Sequence, residues 1–442
     1  MEGRRTLTRR ECLAMAVSAP FAGLQSAPAR PNVLLLLTDD HHWQCLGAAG
    51  NPHVLTPNLD RLAARGVHFT NGICSTPQCS PSRGMLLSGL ESYQTGLISN
   101  EVAGFRKGLG PTVVEQMRRG GYQTILIGKW GVGEQPGPCG FSRAPLWNAD
   151  VATYRDPLLC RGLDGVERRM RGWATDLLVD AAIEAIEGVR QPFLLWLACK
   201  APHKHQGSWQ ADRRYRQPYE GRNPTSLAPP GHPAGGKPFD WIAYYSAITH
   251  LDAAIGRLVA ALEKANLWSN TIAFVLGDNG LMCGTKGLQG KIVPWEESIR
   301  VPFLAGGGLV KGPARSDAAA ASIDLPATWL DLAGIAPASP LAGRSLKSYL
   351  QQREGALEVA FAAWDDPGYH VRVEPYRLAR DRQYKYIVWQ SGREELYNWR
   401  ADPREEENLI GANGARRPLT ELREQLLSRM NQTSDGARSW VK

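Results

Sequence analysis

Asn32-Val33-Leu34-Leu35-Leu36-Leu37-Thr38-Asp39-Asp40 sets the reading of the whole chain. Five successive apolar residues leave no polar face, so the segment suits a strand covered on both sides rather than one wetted on alternate positions. Three more runs have the same form, at residues 124–127, 193–198 and 271–276. Between them apolar residues recur at helical spacing: 59–65, ahead of a candidate C-cap at Gly66, then 175–189 and 244–265. Strands alternating with helices predict an α/β fold, a large, mixed but mostly parallel sheet with helices on both faces.

The polar residues just past those runs follow a pattern. Asp39-Asp40 follows the first, Lys129 the second, His203 the third, and Asp278-Asn279 the fourth. Each alone reads as a turn residue. Open α/β sheets bind ligands outside the carboxyl ends of their strands, so together the four point to one site. Residues 208–238, rich in Pro, Gly and Arg, read as a long surface loop. The loop's Arg213, Arg214 and Arg216 are read as solvated rather than as ligands of a polyanion. The last hundred residues change character, with short strands expected over 376–386 and 395–397 and a closing helix over 418–432. A catalytic domain over 30–345 and a smaller α+β subdomain over 346–442 are therefore expected.

A chain of 442 residues exceeds one small domain, and 43% hydrophobic with 21% charged residues is ordinary for a globular protein. Disordered and solenoid classes are excluded. The net charge of +8 favours anionic partners, but the basic residues are scattered, which argues against nucleic acid. At the N-terminus, Arg4, Arg5, Arg9 and Arg10 precede a short apolar stretch and the small-residue site Ser26-Ala27-Pro28-Ala29. That layout predicts a signal peptide over 1–29, twin-arginine-like at Thr8-Arg9-Arg10-Glu11-Cys12-Leu13. It is too short to span a bilayer, so export to a periplasm or beyond, without a membrane span, is expected. Removing Cys12 with the signal leaves an odd seven cysteines, one of them with a task other than pairing. Cys45, Cys74, Cys139, Cys160, Cys199 and Cys283 stay open to disulfides or to buried free thiols.

Cys79-Ser80-Pro81-Ser82-Arg83, continuing Gly84-Met85-Leu86-Leu87-Ser88-Gly89, carries the chemistry. It resembles the signature of formylglycine-dependent type I sulfatases, members of the alkaline phosphatase superfamily. The likeness extends along the mature chain. Gly128-Lys129-Trp130 is similar to the family's G-K-W element, Ala201-Pro202-His203 to its A-P-H element, and Gly277-Asp278-Asn279-Gly280 to its D-(H/N)-G element. Lys291 with Glu296-Glu297-Ser298-Ile299-Arg300-Val301-Pro302, and Glu395-Leu396-Tyr397-Asn398, also resemble family blocks.

The resemblance implies hydrolysis of a sulfate monoester by a formylglycine hydrate at Cys79, produced by a formylglycine-generating maturation enzyme. It implies one divalent metal, Ca²⁺ ahead of Mg²⁺, held by Asp39, Asp40, Cys79, Asp278 and Asn279; such hard oxygen donors suit these ions. Arg83 would steady the modified residue, and Lys129, His203 and Lys291 would bind sulfate and act in catalysis. The substrate would be a sulfated small molecule or glycan, with Trp364, His370 and Arg372 as weaker candidates for the pocket lining.

The chain departs from the family at Gly131, where a histidine commonly follows G-K-W. The departure predicts slow release of sulfate, with His41, His42, His53 and His205 as candidate substitutes. It keeps two other readings open, a phosphate or phosphonate monoester hydrolase of the same superfamily and a non-catalytic homologue. An unmodified Cys79 thiolate is a further competitor, disfavoured because no Cys-His-Asn arrangement is recognisable.

Overall fold

The computed structural model describes residues 30–441, apart from 103, 106, 107, 152, 190, 191, 233–235, 312, 313 and 353–356. The signal peptide expected over 1–29 lies outside the described residues. Fourteen strands are described: β1 Asn32–Thr38, β2 Val67–Phe69, β3 Gln123–Lys129, β4 Arg143–Asn148, β5 Leu158–Arg161, β6 Val166–Arg169 and β7 Phe193–Ala198. They continue as β8 Thr271–Gly277, β9 Phe303–Gly306, β10 Ala314–Ser316, β11 Ala360–Trp364, β12 Tyr376–Arg380, β13 Lys385–Trp389 and β14 Glu394–Tyr397.

Ten of them form one sheet in the order β10-β2-β9-β8-β1-β7-β3-β4-β5-β6. β1 pairs in parallel with β7 and β8, and β3 with β7 and β4. Antiparallel pairing enters only toward the edges, at β9 and at β5 and β6. The four apolar runs are thus the four central strands β8, β1, β7 and β3. Their continuous apolarity has a direct cause. Val33, Leu35 and Leu37 enter the core on one face, and Leu34 and Leu36 the core on the other. Helices Cys79–Ser88, Val113–Arg119 and Asp324–Ala333 supply the first layer, and Pro57–Arg65, Ala174–Ile186 and Trp241–Lys264 the second. Each fully buried leucine contributes about 1.5–3 kcal/mol, so neither face of β1 tolerates a polar residue cheaply.

A second sheet, β11-β12-β13-β14, is antiparallel throughout. Helix Arg416–Gln432 packs on one face of it through Leu422, Leu426 and Met430. The other face, with Trp364, Tyr376 and Ile387, joins Ile73, Met85 and Ile299 in one core cluster. Pro31–Lys442 is a single compact unit. Trp364 is fully buried in that core. The loop over 208–238 carries three short helical turns, at Arg213–Arg216, Gln217–Tyr219 and Pro224–Leu227. Its Arg214 lies against the Tyr215 ring and Asp176. All seven described cysteines are free buried thiols.

Candidate active site

The carboxyl ends of β8, β1, β7 and β3 meet the N-terminus of helix Cys79–Ser88. Asp39 and Asp40 leave β1 through a tight turn, with Asp40 in the left-handed region at φ 57°. Asp is among the residues that tolerate this conformation. The Tyr244 phenol clamps the turn, donating to the Asp40 carbonyl at 2.6 Å and accepting from the His42 N–H at 2.9 Å. Cys79 opens its helix and is buried. Its thiol donates to Asp39 Oδ1 at 3.2 Å and lies 3.6 Å from Asn279 Oδ1. The Lys291 ammonium donates to Cys79 Sγ at 2.9 Å and also pairs with Asp40.

Arg83 lies one helical turn beyond Cys79, fully buried, and ties the strand ends together. Its Nε and Nη2 donate to Asp278 Oδ2 at 3.1 and 2.8 Å, and its Nη1 donates to the Lys129 carbonyl. Lys129 Nζ lies 2.6 Å from Asp39 Oδ2. His203 Nε2 stands 3.5 Å from Asp40 Oδ2. The Asn279 amide donates to Asp40 Oδ1 at 2.7 Å. Asp39, Asp40, Cys79, Arg83, Lys129, His203, Asp278, Asn279 and Lys291 therefore lie in one cluster.

Burial alone would raise the Asp39 pKa, but Lys129, His203, Lys291 and Arg83 together hold it well below the usual carboxylate range. For Asp278, burial and repulsion from Asp39 outweigh Arg83 and raise it. Burial, aided by Asp39, pushes the Cys79 thiol up to about 12. An unmodified thiol in this setting stays protonated near neutral pH and is a poor nucleophile.

The donor set fits a hard divalent cation. Ligand atoms of Asp39, Cys79 and Asp278 converge within 4.8 Å of one another, as do those of Asp39, Asp40 and His203. Asp39 Oδ2 is buried without a donor in hydrogen-bonding geometry, although Lys129 is close. Carboxylate and amide oxygens are the ligands such ions prefer.

Two of the four substitutes considered for the histidine absent at 131, His41 and His53, have ring partners outside the cluster. The His41 ring spans Thr38 Oγ1 and the Cys45 carbonyl, at 3.1 and 3.3 Å, and burial lowers its pKa to about 4. His53 contacts Arg222. His205 pairs through its backbone with Ser208. His370, a candidate for the pocket lining and not for that substitution, is exposed and bound to Glu101 at 2.6 Å. Two residues not singled out in the sequence do belong here, Asp150 and Lys200. Lys200 follows β7 directly and Asp150 lies just past β4, so the strand-end rule covers both. β4 escaped notice because its sequence, Arg-Ala-Pro-Leu-Trp-Asn, lacks an apolar run.

Comparison with known proteins agrees with this geometry. The sulfatase family model matches residues 31–335, and that of the N-sulphoglucosamine sulphohydrolase C-terminal region matches 284–433. An ulvan-active sulfatase of Formosa agariphila is 29% identical over 88% of this chain and 78% of its own length. An N-acetylglucosamine-6-O-sulfatase of Bacteroides thetaiotaomicron is 25% identical over 92% of this chain and 87% of its own. A structure solved in complex with its substrate D-glucosamine-2-N,6-O-disulfate superposes with a TM-score of 0.81 at 24% identity, covering 92% of this chain and 99% of that one. That last likeness concerns the fold. With the family model spanning more than half its length, the chain belongs to the sulfatase family, enzymes that hydrolyse sulfuric ester bonds.

Proposed function

We propose that this sulfatase acts on a sulfated carbohydrate through residue 79 in its formylglycine form, with one divalent cation held by Asp39, Asp40, Asp278, Asn279 and residue 79. One arrangement carries the reading. Cys79 Sγ sits 3.2 Å from Asp39, 3.6 Å from Asn279 and 2.9 Å from Lys291, so a group built on that atom's position meets both the acids and a cation. The cation, when bound, supplies Lewis-acid polarisation of a sulfate oxygen and favours the ionised nucleophile. Arg83, locked on Asp278, holds residue 79 and its helix against the strand ends. Lys129 and Lys291 face developing charge on the sulfate oxygens from preset positions, which is where electrostatic catalysis is most effective. His203, at the rim beside Asp40, donates a proton to the departing oxygen. Calcium is the preferred ion because the site offers several carboxylate and amide oxygens, and Ca²⁺ takes more oxygen ligands than Mg²⁺ does. The carbohydrate assignment follows the relatives named for ulvan and N-acetylglucosamine sulfates. Export by the N-terminal 29 residues and maturation by a formylglycine-generating enzyme complete the reading.

The test is protein co-expressed with a maturation enzyme. Mass spectrometry of the Cys79 peptide should show the aldehyde or its hydrate, and sulfate should be released from sulfated saccharides far faster than phosphate from matched esters. An intact thiol, or preference for phosphate, would overturn the proposal. Single-turnover kinetics address Gly131: sulfate release slower than ester cleavage is expected.

A further inference from the structure

The Lys129 ammonium faces two carboxylates. Asp39 Oδ2 lies 2.6 Å from Nζ and Asp150 Oδ1 lies 3.0 Å from it. Asp150 is itself gripped by Lys200, whose ammonium reaches its Oδ2 at 3.1 Å and its backbone carbonyl at 3.3 Å. Lys129 and Lys200 are both buried, whereas the Asp150 side chain is 59% exposed. The carboxylate therefore stands at the mouth of the site with its two oxygens turned inward to two lysines.

The turn bearing Asp150 also borders Gly131. A Cβ added there would meet Arg83 Cδ at 3.5 Å, the Ala149 carbonyl at 3.7 Å and Ser80 Oγ at 3.8 Å. These are ordinary contact distances, so the space is not filled by backbone. Gly131 itself has φ 67°, a conformation that suits glycine.

We infer that Asp150, anchored by Lys200, is a positioning residue that fixes the Lys129 ammonium at the sulfate site. An ammonium carries three N–H groups on a freely turning rotor. Two flanking carboxylates, at 2.6 and 3.0 Å, hold the ammonium between them by charge. Once a cation engages Asp39, Asp150 is the carboxylate left to hold Lys129. A misplaced donor loses transition-state stabilisation steeply, on the order of 100-fold per ångström. This inference rests on the sulfate-binding role proposed for Lys129.

Its signature is opposite to that of a structural residue. Asp150 is an anion beside an anionic substrate, so its removal should not weaken ground-state binding. Asp150→Ala is expected to lower kcat on the order of 10- to 100-fold while KM stays level or falls. Asp150→Asn, which keeps one acceptor oxygen, should lose less. In a Lys129→Met background Asp150→Ala should add less than about threefold, because both act through the same ammonium. Calorimetry with inorganic sulfate on protein carrying an unmodified Cys79 should show binding by Asp150→Ala no weaker than wild type. Raised KM with weakened sulfate binding, unchanged kcat, or losses that multiply with Lys129→Met would each overturn the inference. Wild-type kcat in Lys129→Met alone would instead sink the role of Lys129 on which it rests.

Discussion

Two of the buried ion clusters in this molecule differ in what their charges surround. Beneath the small sheet, Arg380 of β12 forks onto Glu296, Nε to Oε1 at 2.9 Å and Nη2 to Oε2 at 2.7 Å. Lys385 of β13 adds a bond to the Pro294 carbonyl at 2.6 Å and pairs with Glu296 and Glu405. Glu405 closes the ring by accepting from the Glu296 N–H at 3.0 Å. Two acids meet two cations in forked or shared contacts, and nothing reactive stands between them. In the active-site cluster Asp39, Asp40 and Asp278 face Arg83, Lys129 and Lys291, also in balance, but the contacts converge on Cys79. A divalent cation would tip that balance positive, which suits an anionic ester. Burial of charge is common to both; a nucleophile at the focus separates a site from a clamp.

The sharpest way to break the comparison is Cys79→Ala. It should reduce kcat/KM by about 10⁴-fold or more, since loss of a nucleophile removes the chemical path, while the melting temperature stays close to wild type. Asp39→Asn comes next. It should lower activity by roughly 10³-fold and abolish stabilisation by added calcium; in wild type, calcium at 100 times its Kd should stabilise by about 2.7 kcal/mol. Calorimetric melts with and without CaCl₂ check both halves. Arg380→Met should invert the pattern. Taking the forked guanidinium from buried Glu296 should cost about 3 kcal/mol in denaturant unfolding, since Lys385 stays beside it, with kcat per folded molecule preserved.

The smallest effect concerns pH. Burial raises the Glu405 pKa from 4.5 to about 7, against the pull of Lys385. A carboxyl with a raised folded pKa stabilises the fold below its unfolded value, and that contribution fades as pH rises through about 7. Glu405→Gln should therefore flatten the wild-type loss of stability between pH 4.5 and 7. A decline of equal slope in the variant would place the titrating group elsewhere.

The central architecture was legible because its signals are local. Strands covered on both faces must be apolar throughout, so β1, β3, β7 and β8 announced themselves within a few residues of their ends. Asp39, Lys129 and Asp278 could then be placed on one edge by topology alone. The motif around Cys79 added the proposed nucleophile. Strands at the sheet's edges and next to them were illegible for the converse reason. β2 and β10 have three residues each, and β6, Val-Glu-Arg-Arg, is exposed along its length, so no hydrophobic pattern marks it.

Sequence by itself determined the class of chemistry and most of its participants, because apolar periodicity and short motifs are written in neighbouring residues. Tertiary structure alone decided which distant charges would meet. Asp150 lies 21 positions from Lys129 and 50 from Lys200 along the chain, yet one carboxylate holds both. Arg380 reaches Glu296 across 84 residues. Such pairings depend on sheet order and on the shape of the packed turns, and an ion pair leaves no spacing in the sequence that a reader could find.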